Sequence, residues 1–146
     1  MDTKDTKDTK AAHTRTTKKP NKTSRLVIGA ALRVHSALGA GVLESACSAC
    51  LAYEFTKLRL HFEQEVRLPV VYEGVQLHTA YRVDFIVEKC LVLELKCVER
   101  VLPVHRAQLL SYLRLSGHTL GLILNFNVPH MKQGIHRVIN GPESEL

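Results

Sequence analysis

The chain has 146 residues, enough for one domain with one core, and its composition (45% hydrophobic, no Trp) is that of an ordinary globular protein. No run approaches about eighteen uninterrupted apolar residues and the N-terminus lacks an apolar signal region, so no membrane span or secretory leader is expected, and the four cysteines are expected unpaired in a reducing cytoplasm. The net charge of +6 is uneven: residues 1–25 hold eight Lys or Arg against three Asp, whereas residues 26–146 hold twelve basic against eleven acidic side chains. The basic character therefore belongs to a tail, which either attracts nucleic acid through its phosphates or is merely solvated.

The opening "MDTKDTKDTK" repeats one triplet three times, and the polar stretch that follows has almost nothing to bury, so residues 1–24 read as a disordered basic tail and residues 25–146 as the folded domain. Ser24 is the expected N-cap of a buried helix, "RLVIGAALRVHSAL". Gly39 and Gly41 interrupt it, and "VLESACSACLAYEFTKL" resumes with apolar residues near a 3.6 spacing. From His61 the pattern alternates. Turn signals at Glu73-Gly74 and Glu88-Lys89 divide the chain into three strands, most simply an antiparallel meander. Pro103 opens a helix that Gly117 closes, "TLGLILNF" is a further buried strand, and "GIHRVIN" is either an edge strand or a helical turn. The order helix, three strands, helix, strand is an αβββαβ core of the α+β or α/β class, a central, mostly antiparallel or mixed sheet flanked by helices.

The strand "LVLELKCV" poses the chemical question. Alternation puts Glu94 and Lys96 on one face and Leu93, Leu95 and Cys97 on the other. Two charges in so apolar a run need partners, a metal or a wet cleft, because each costs several kcal/mol to bury alone. Asp84, in "YRVDFIV" on the preceding strand, is expected opposite Glu94 with Arg82 and Ile86 on its face, and Glu44 begins the segment after the glycines. Carboxylates converging on one point repel unless a cation neutralises them, and hard oxygen donors select Mg²⁺ or Mn²⁺. Such an ion activates water and stabilises charge on a phosphodiester, and Lys96 beside it is placed to orient or deprotonate the water or to hold the phosphate.

This spacing resembles the PD-(D/E)XK nuclease superfamily, with Asp84 as the central aspartate and Glu94-Leu95-Lys96 as the E-x-K element. More narrowly, residues 25–141 resemble the bacterial GxxExxY family through "RVHSALGAGVLES", "YRVDFIVE", "LVLELKCVE", "VHRAQLLSYLRL" and "LILNFNVP". The resemblance implies a restriction-endonuclease-like fold, a nucleic-acid substrate (DNA sooner than RNA), and a site in which Glu44, Asp84, Glu94 and the Leu95 carbonyl hold the metal while Lys96 serves the attacking water. Gln108 and Tyr112, four apart on one helical face, resemble the Q-x-x-x-Y element of RecB-type nucleases, which implies a supporting role. One position departs: Gly41 and Glu44 match the family name, but Cys47 stands where it has tyrosine, and on a helix it would lie beside Glu44. If the tyrosine orients the site through its hydroxyl, the change weakens that role; if it fills space, little is lost.

Other candidates read more plainly. His35 is a further metal ligand or a packed helix histidine, and His105 a phosphate contact or likewise structural. Cys47 and Cys50 on a helix, with Cys90 and Cys97 at opposite ends of a strand about 20 Å long, cannot share one ion, so neither iron–sulfur cluster nor zinc is expected. Arg82, Arg106, Arg114 and Lys132 either line a phosphate groove or are solvated. Two rivals to a nuclease remain: a nucleic-acid-binding or regulatory module on the same fold, and an interaction subunit, such as a homodimer, docking through the "LGLILNF" strand.

Overall fold

Pro20, which has no N–H to leave unpaired, opens α1 (Pro20–Leu38) in the computed structural model, which describes residues 19–146. The helix thus starts a turn before Ser24, the N-cap expected from sequence. Thr23 and Ser24 are buried instead, and Cys90 Sγ donates a 3.4 Å hydrogen bond to Thr23 Oγ1. Packing against the sheet extends the helix into polar sequence that periodicity alone assigned to the tail; the rest of that tail lies outside the described residues, apart from Lys19. Gly39, at φ +75°, closes α1 and donates its N–H to the His35 carbonyl at 2.8 Å. After Gly41 the chain enters α2 (Glu44–Lys57).

Strands β1 (Phe62–Tyr72), β2 (Val75–Val87) and β3 (Leu91–Lys96) form the expected antiparallel meander. Both turns carry positive φ on two successive residues, Glu73-Gly74 and Glu88-Lys89, the backbone twist that matches flanking strands in tight hairpins. Helix α3 (Pro103–Ser116) then carries the chain to β4 (Leu120–Asn125), which pairs parallel to β3. After a short 3₁₀ turn, Met131–Gly134, the "GIHRVIN" segment forms β5 (Ile135–Ile139), antiparallel to β4. The result is an α+β fold, with three α-helices among the described residues around a five-stranded mixed sheet in the order β1-β2-β3-β4-β5, consistent with a restriction-endonuclease-like core.

Period-two alternation divides the core. Leu91, Leu93, Leu95, Leu120, Leu122 and Leu124 face α1 and α2, while Val92, Ile123 and Val138 face Leu109 and Leu113 of α3. Every residue of β4 is buried between β3 and β5, so the "LGLILNF" strand is the centre of the core and cannot be the docking face considered above. Among the described residues no helix is long and apolar enough to cross a membrane.

Two glycines give opposite expectations. A Cβ on Gly134 would collide with the backbone carbonyl of Asn125, so Gly134→Ala should cost about 2 kcal/mol or more. A Cβ on Gly29, inside α1, would meet only the end of Arg33 at 3.7 Å, so Gly29→Ala should raise stability by about 0.5–1 kcal/mol. Urea unfolding of the two variants checks both signs.

Candidate active site

Strands β2 and β3 pair through their backbones only as far as Phe85 opposite Leu93. One step further Asp84 and Glu94 face each other, and their side chains replace the ladder. The Asp84 N–H donates to Glu94 Oε1 at 3.1 Å, and the Leu95 N–H donates to Asp84 Oδ2 at 2.7 Å. Sheet alternation slips at this level: Val83 and Ile86, three apart, both reach the α3 core, while Phe85 and Val87 face α1 and α2. Across β1 the slip is matched at Glu65, which has φ +50° and drops out of the ladder between Gln64 and Val66. Val83, and not Arg82 as alternation predicts, therefore shares the α3 side with Ile86.

The pair is electrostatically frustrated. Burial first, and then the neighbouring Asp84 charge, push the Glu94 carboxyl up to about 8. Asp84 is raised as well, by burial, against the lowering effect of the Leu95 hydrogen bond, Lys96 and Arg82. Glu44, the first residue of α2, is exposed at the rim yet still raised, by partial desolvation and then by Asp84, with Lys96 opposing. On α3, Tyr112 is raised by burial and then by the Glu94 charge. Lys96 thus acts on Glu44, Asp84 and Glu94, and the charges of Asp84 and Glu94 reach Tyr112.

Other expected residues are placed differently. His35 Nε2 lies 2.8 Å from the Val128 carbonyl, which commits the ring to a loop contact. His105 Nδ1 accepts the Leu102 N–H at 3.0 Å at the start of α3, a helix-end contact rather than a free phosphate ligand. Gln108 is exposed one turn before Tyr112, and its side chain makes no hydrogen bond among the described residues. Cys47 is fully buried in the α1–α2 core, where burial first, then Cys97, and more weakly Glu44, push its thiol up to about 12. Arg106 donates to the Arg137 carbonyl on β5 at 2.9 Å, on the α3 side, while Lys132 follows Met131, which packs on the α1–α2 side.

The residues that hold this site in place were not anticipated. Asn125, only 2% exposed, accepts the Val98 N–H at 3.1 Å and donates Nδ2 to the Val98 carbonyl at 2.9 Å, clamping the exit of β3 just beyond Lys96. Asn127 Oδ1 accepts the Gly41 N–H at 3.2 Å, which ties the loop before Glu44 to the same turn. The only signal was "LNFNV", where two asparagines follow a buried strand.

The donor set fits a hard divalent cation. Asp84 and Glu94 each spend one oxygen on a backbone N–H and keep the other. In a strand a residue's N–H and C=O point toward the same neighbour, so the Leu95 carbonyl opens on the same gap. Among the described residues, however, no three His, Cys, Asp or Glu side chains are already drawn together as an ion would require, Glu44 being held within electrostatic reach only.

The family model of the PD-(D/E)XK nuclease superfamily matches residues 21–138, most of the chain. The chain belongs to that superfamily. No curated protein and no solved structure matches it. Membership in the PD-(D/E)XK superfamily implies a nucleic-acid substrate and, in general, a divalent metal, in agreement with the oxygen donors at Asp84 and Glu94.

The Glu94 shift sets a pH dependence. Its folded value lies above the ordinary 4.5, so the folded state holds the proton longer; the stability this gives is full below about 4.5 and is lost as pH rises through about 8. In metal-free protein, wild type minus Glu94→Gln should lose up to about 1.4 kcal/mol per pH unit across that window. Urea unfolding at stepped pH, in chelator, checks this; parallel curves would mean that Glu94 is not raised.

Proposed function

We propose that the protein is a metal-dependent nuclease that hydrolyses phosphodiester bonds, DNA sooner than RNA, and that it is a GxxExxY-type member of its superfamily. The observation that carries the reading is the partly buried pair Asp84 and Glu94, facing each other with their carboxyls raised although Lys96, and for Asp84 also Arg82, oppose the rise. A structural ion pair would lower both carboxyls; here both are raised, as expected of a site built for a stronger charge. Asp84, Glu94 and the Leu95 carbonyl would hold Mg²⁺ or Mn²⁺, with Glu44 drawn in from the rim. When bound, the ion would supply an activated water and charge stabilisation for the phosphoryl oxygens. Lys96 would orient that water or hold the phosphate, and Tyr112, with Gln108 a turn away, would support the carboxylate side.

The rival reading, a binding module without catalysis, rested on Cys47 in place of tyrosine and on the nearly neutral charge of residues 26–146. The burial of Cys47 against Cys97 supports a space-filling role and leaves the acidic pair untouched. The residue set 25–146 would act as one nuclease-like unit behind a basic leader, and its cysteines, none in a disulfide, would suit the cytoplasm.

Labelled linear and circular DNA and RNA, incubated with Mg²⁺, Mn²⁺ or chelator, test the proposal. Cutting should require metal, vanish in Glu94→Ala purified identically, and fall roughly 10²–10⁴-fold in Lys96→Ala. Mn²⁺ should also raise the thermal midpoint of wild type but not of Glu94→Ala. Cutting that persists in Glu94→Ala, or no cutting on any substrate, would contradict it.

A further inference from the structure

We infer that Tyr81 and Tyr112 form a stacking step for an unpaired base beside the carboxylate pair, so that the site takes single-stranded nucleic acid. The inference rests on the nuclease reading and names its substrate class. Tyr81 lies on β2 three residues before Asp84, with its ring centroid 5.3 Å from that of Tyr112 and the planes at 46°. Tyr112 is the ring that feels the Glu94 and Asp84 charges, so the aromatic pair ends at the carboxylates. Tyr81 is 45% exposed at the point where the β1–β2 hairpin leaves the body: from Pro69 to Thr79 every residue but Val70 is exposed. A large ring is left open where packing does not require it.

Charge decides between a duplex and a single strand. A duplex is held mainly through several phosphate contacts by Lys and Arg. Residues 26–146 carry twelve basic against eleven acidic side chains, a balance of +1, and Glu44, Glu65, Asp84 and Glu94 make the site's surroundings acidic. The neighbouring cations are partly engaged, Arg82 with Glu65 at 3.4 Å and Arg106 with the Arg137 carbonyl. Beyond the basic leader, the folded part itself therefore offers little net attraction for phosphates. Stacking needs no charge, tolerates any base, and is available only to bases free of a complementary strand.

The chain has no Trp, so Tyr81→Trp supplies a single indole at the step. Full-length protein with Ca²⁺ is titrated with a labelled single-stranded oligonucleotide, its duplex, and an abasic strand of equal length. The single strand should bind more tightly than the duplex and quench the indole, whereas the abasic strand should not. Tyr81→Ala should weaken single-strand binding roughly 5- to 100-fold and leave duplex binding unchanged, and Tyr81→Phe should restore it. Tighter duplex binding, or single-strand binding indifferent to Tyr81→Ala, would overturn the inference. Metal-dependent cutting measured alongside keeps the two readings apart. Duplex cutting that ignores Tyr81 would remove the stacking step and leave the nuclease. Tyr81-dependent single-strand binding with no cutting under any metal would do the reverse.

Discussion

Where β2 and β3 stop pairing, two carboxylates take over the hydrogen bonds that backbone carbonyls would otherwise accept. This exchange fixes everything around it. It holds Asp84 against Glu94, spends one oxygen of each on a rigid strand, and leaves both carboxyls raised despite Lys96 and, at Asp84, Arg82. Holding such a pair partly dry costs a few kcal/mol. The same strand repays it: Leu91, Val92, Leu93 and Leu95 are buried at 0–1% exposure and together contribute roughly 8 kcal/mol. The core can therefore sustain a strained site at its edge.

Precision comes from the turn after β4. Asn125 clamps Val98, Asn127 holds Gly41, the Val128 carbonyl meets His35, and the Phe126 N–H donates to the Lys96 carbonyl at 2.9 Å. One short segment thus sets the end of β3, where Lys96 sits, and the approach to α2, where Glu44 sits. Gly134 belongs to the same device, since only a residue without Cβ lets the 3₁₀ turn close over the Asn125 carbonyl. A site whose parts come from β2, β3 and α2 needs this common anchor, because an error of about 1 Å between donors weakens any concerted chemistry.

The strands, turns and helices were legible because their signals are local. Alternation in "HFEQEVRLPVVY", paired turn residues and Pro103 with Gly117 each act within a few residues. Asp84, Glu94 and Lys96 were legible because charge in an apolar run is costly anywhere. The start of α1 was not, since Thr23 and Ser24 become helical through burial against distant residues. Neither was the slip at Asp84, where the Glu65 backbone on another strand breaks the alternation. The burial of Cys47 was not legible for the same reason: helical spacing puts it near Glu44, whose charge does reach it, but the sheet beneath decides that it packs in the core. Tyr81, given no role by the motif piece it opens, gains meaning only once Tyr112 is packed against it.

The central claim is that Asp84 and Glu94 form a cation site kept partly protonated until it is filled. Titrating metal-free protein with Mn²⁺ by calorimetry at pH 7, in buffers of different ionisation heat, tests it directly. With Glu94 near 8, binding should release close to one proton per ion, falling toward none by about pH 9 and vanishing with the binding heat in Glu94→Gln. Heat that is the same in every buffer, or binding that survives Glu94→Gln, would contradict the account.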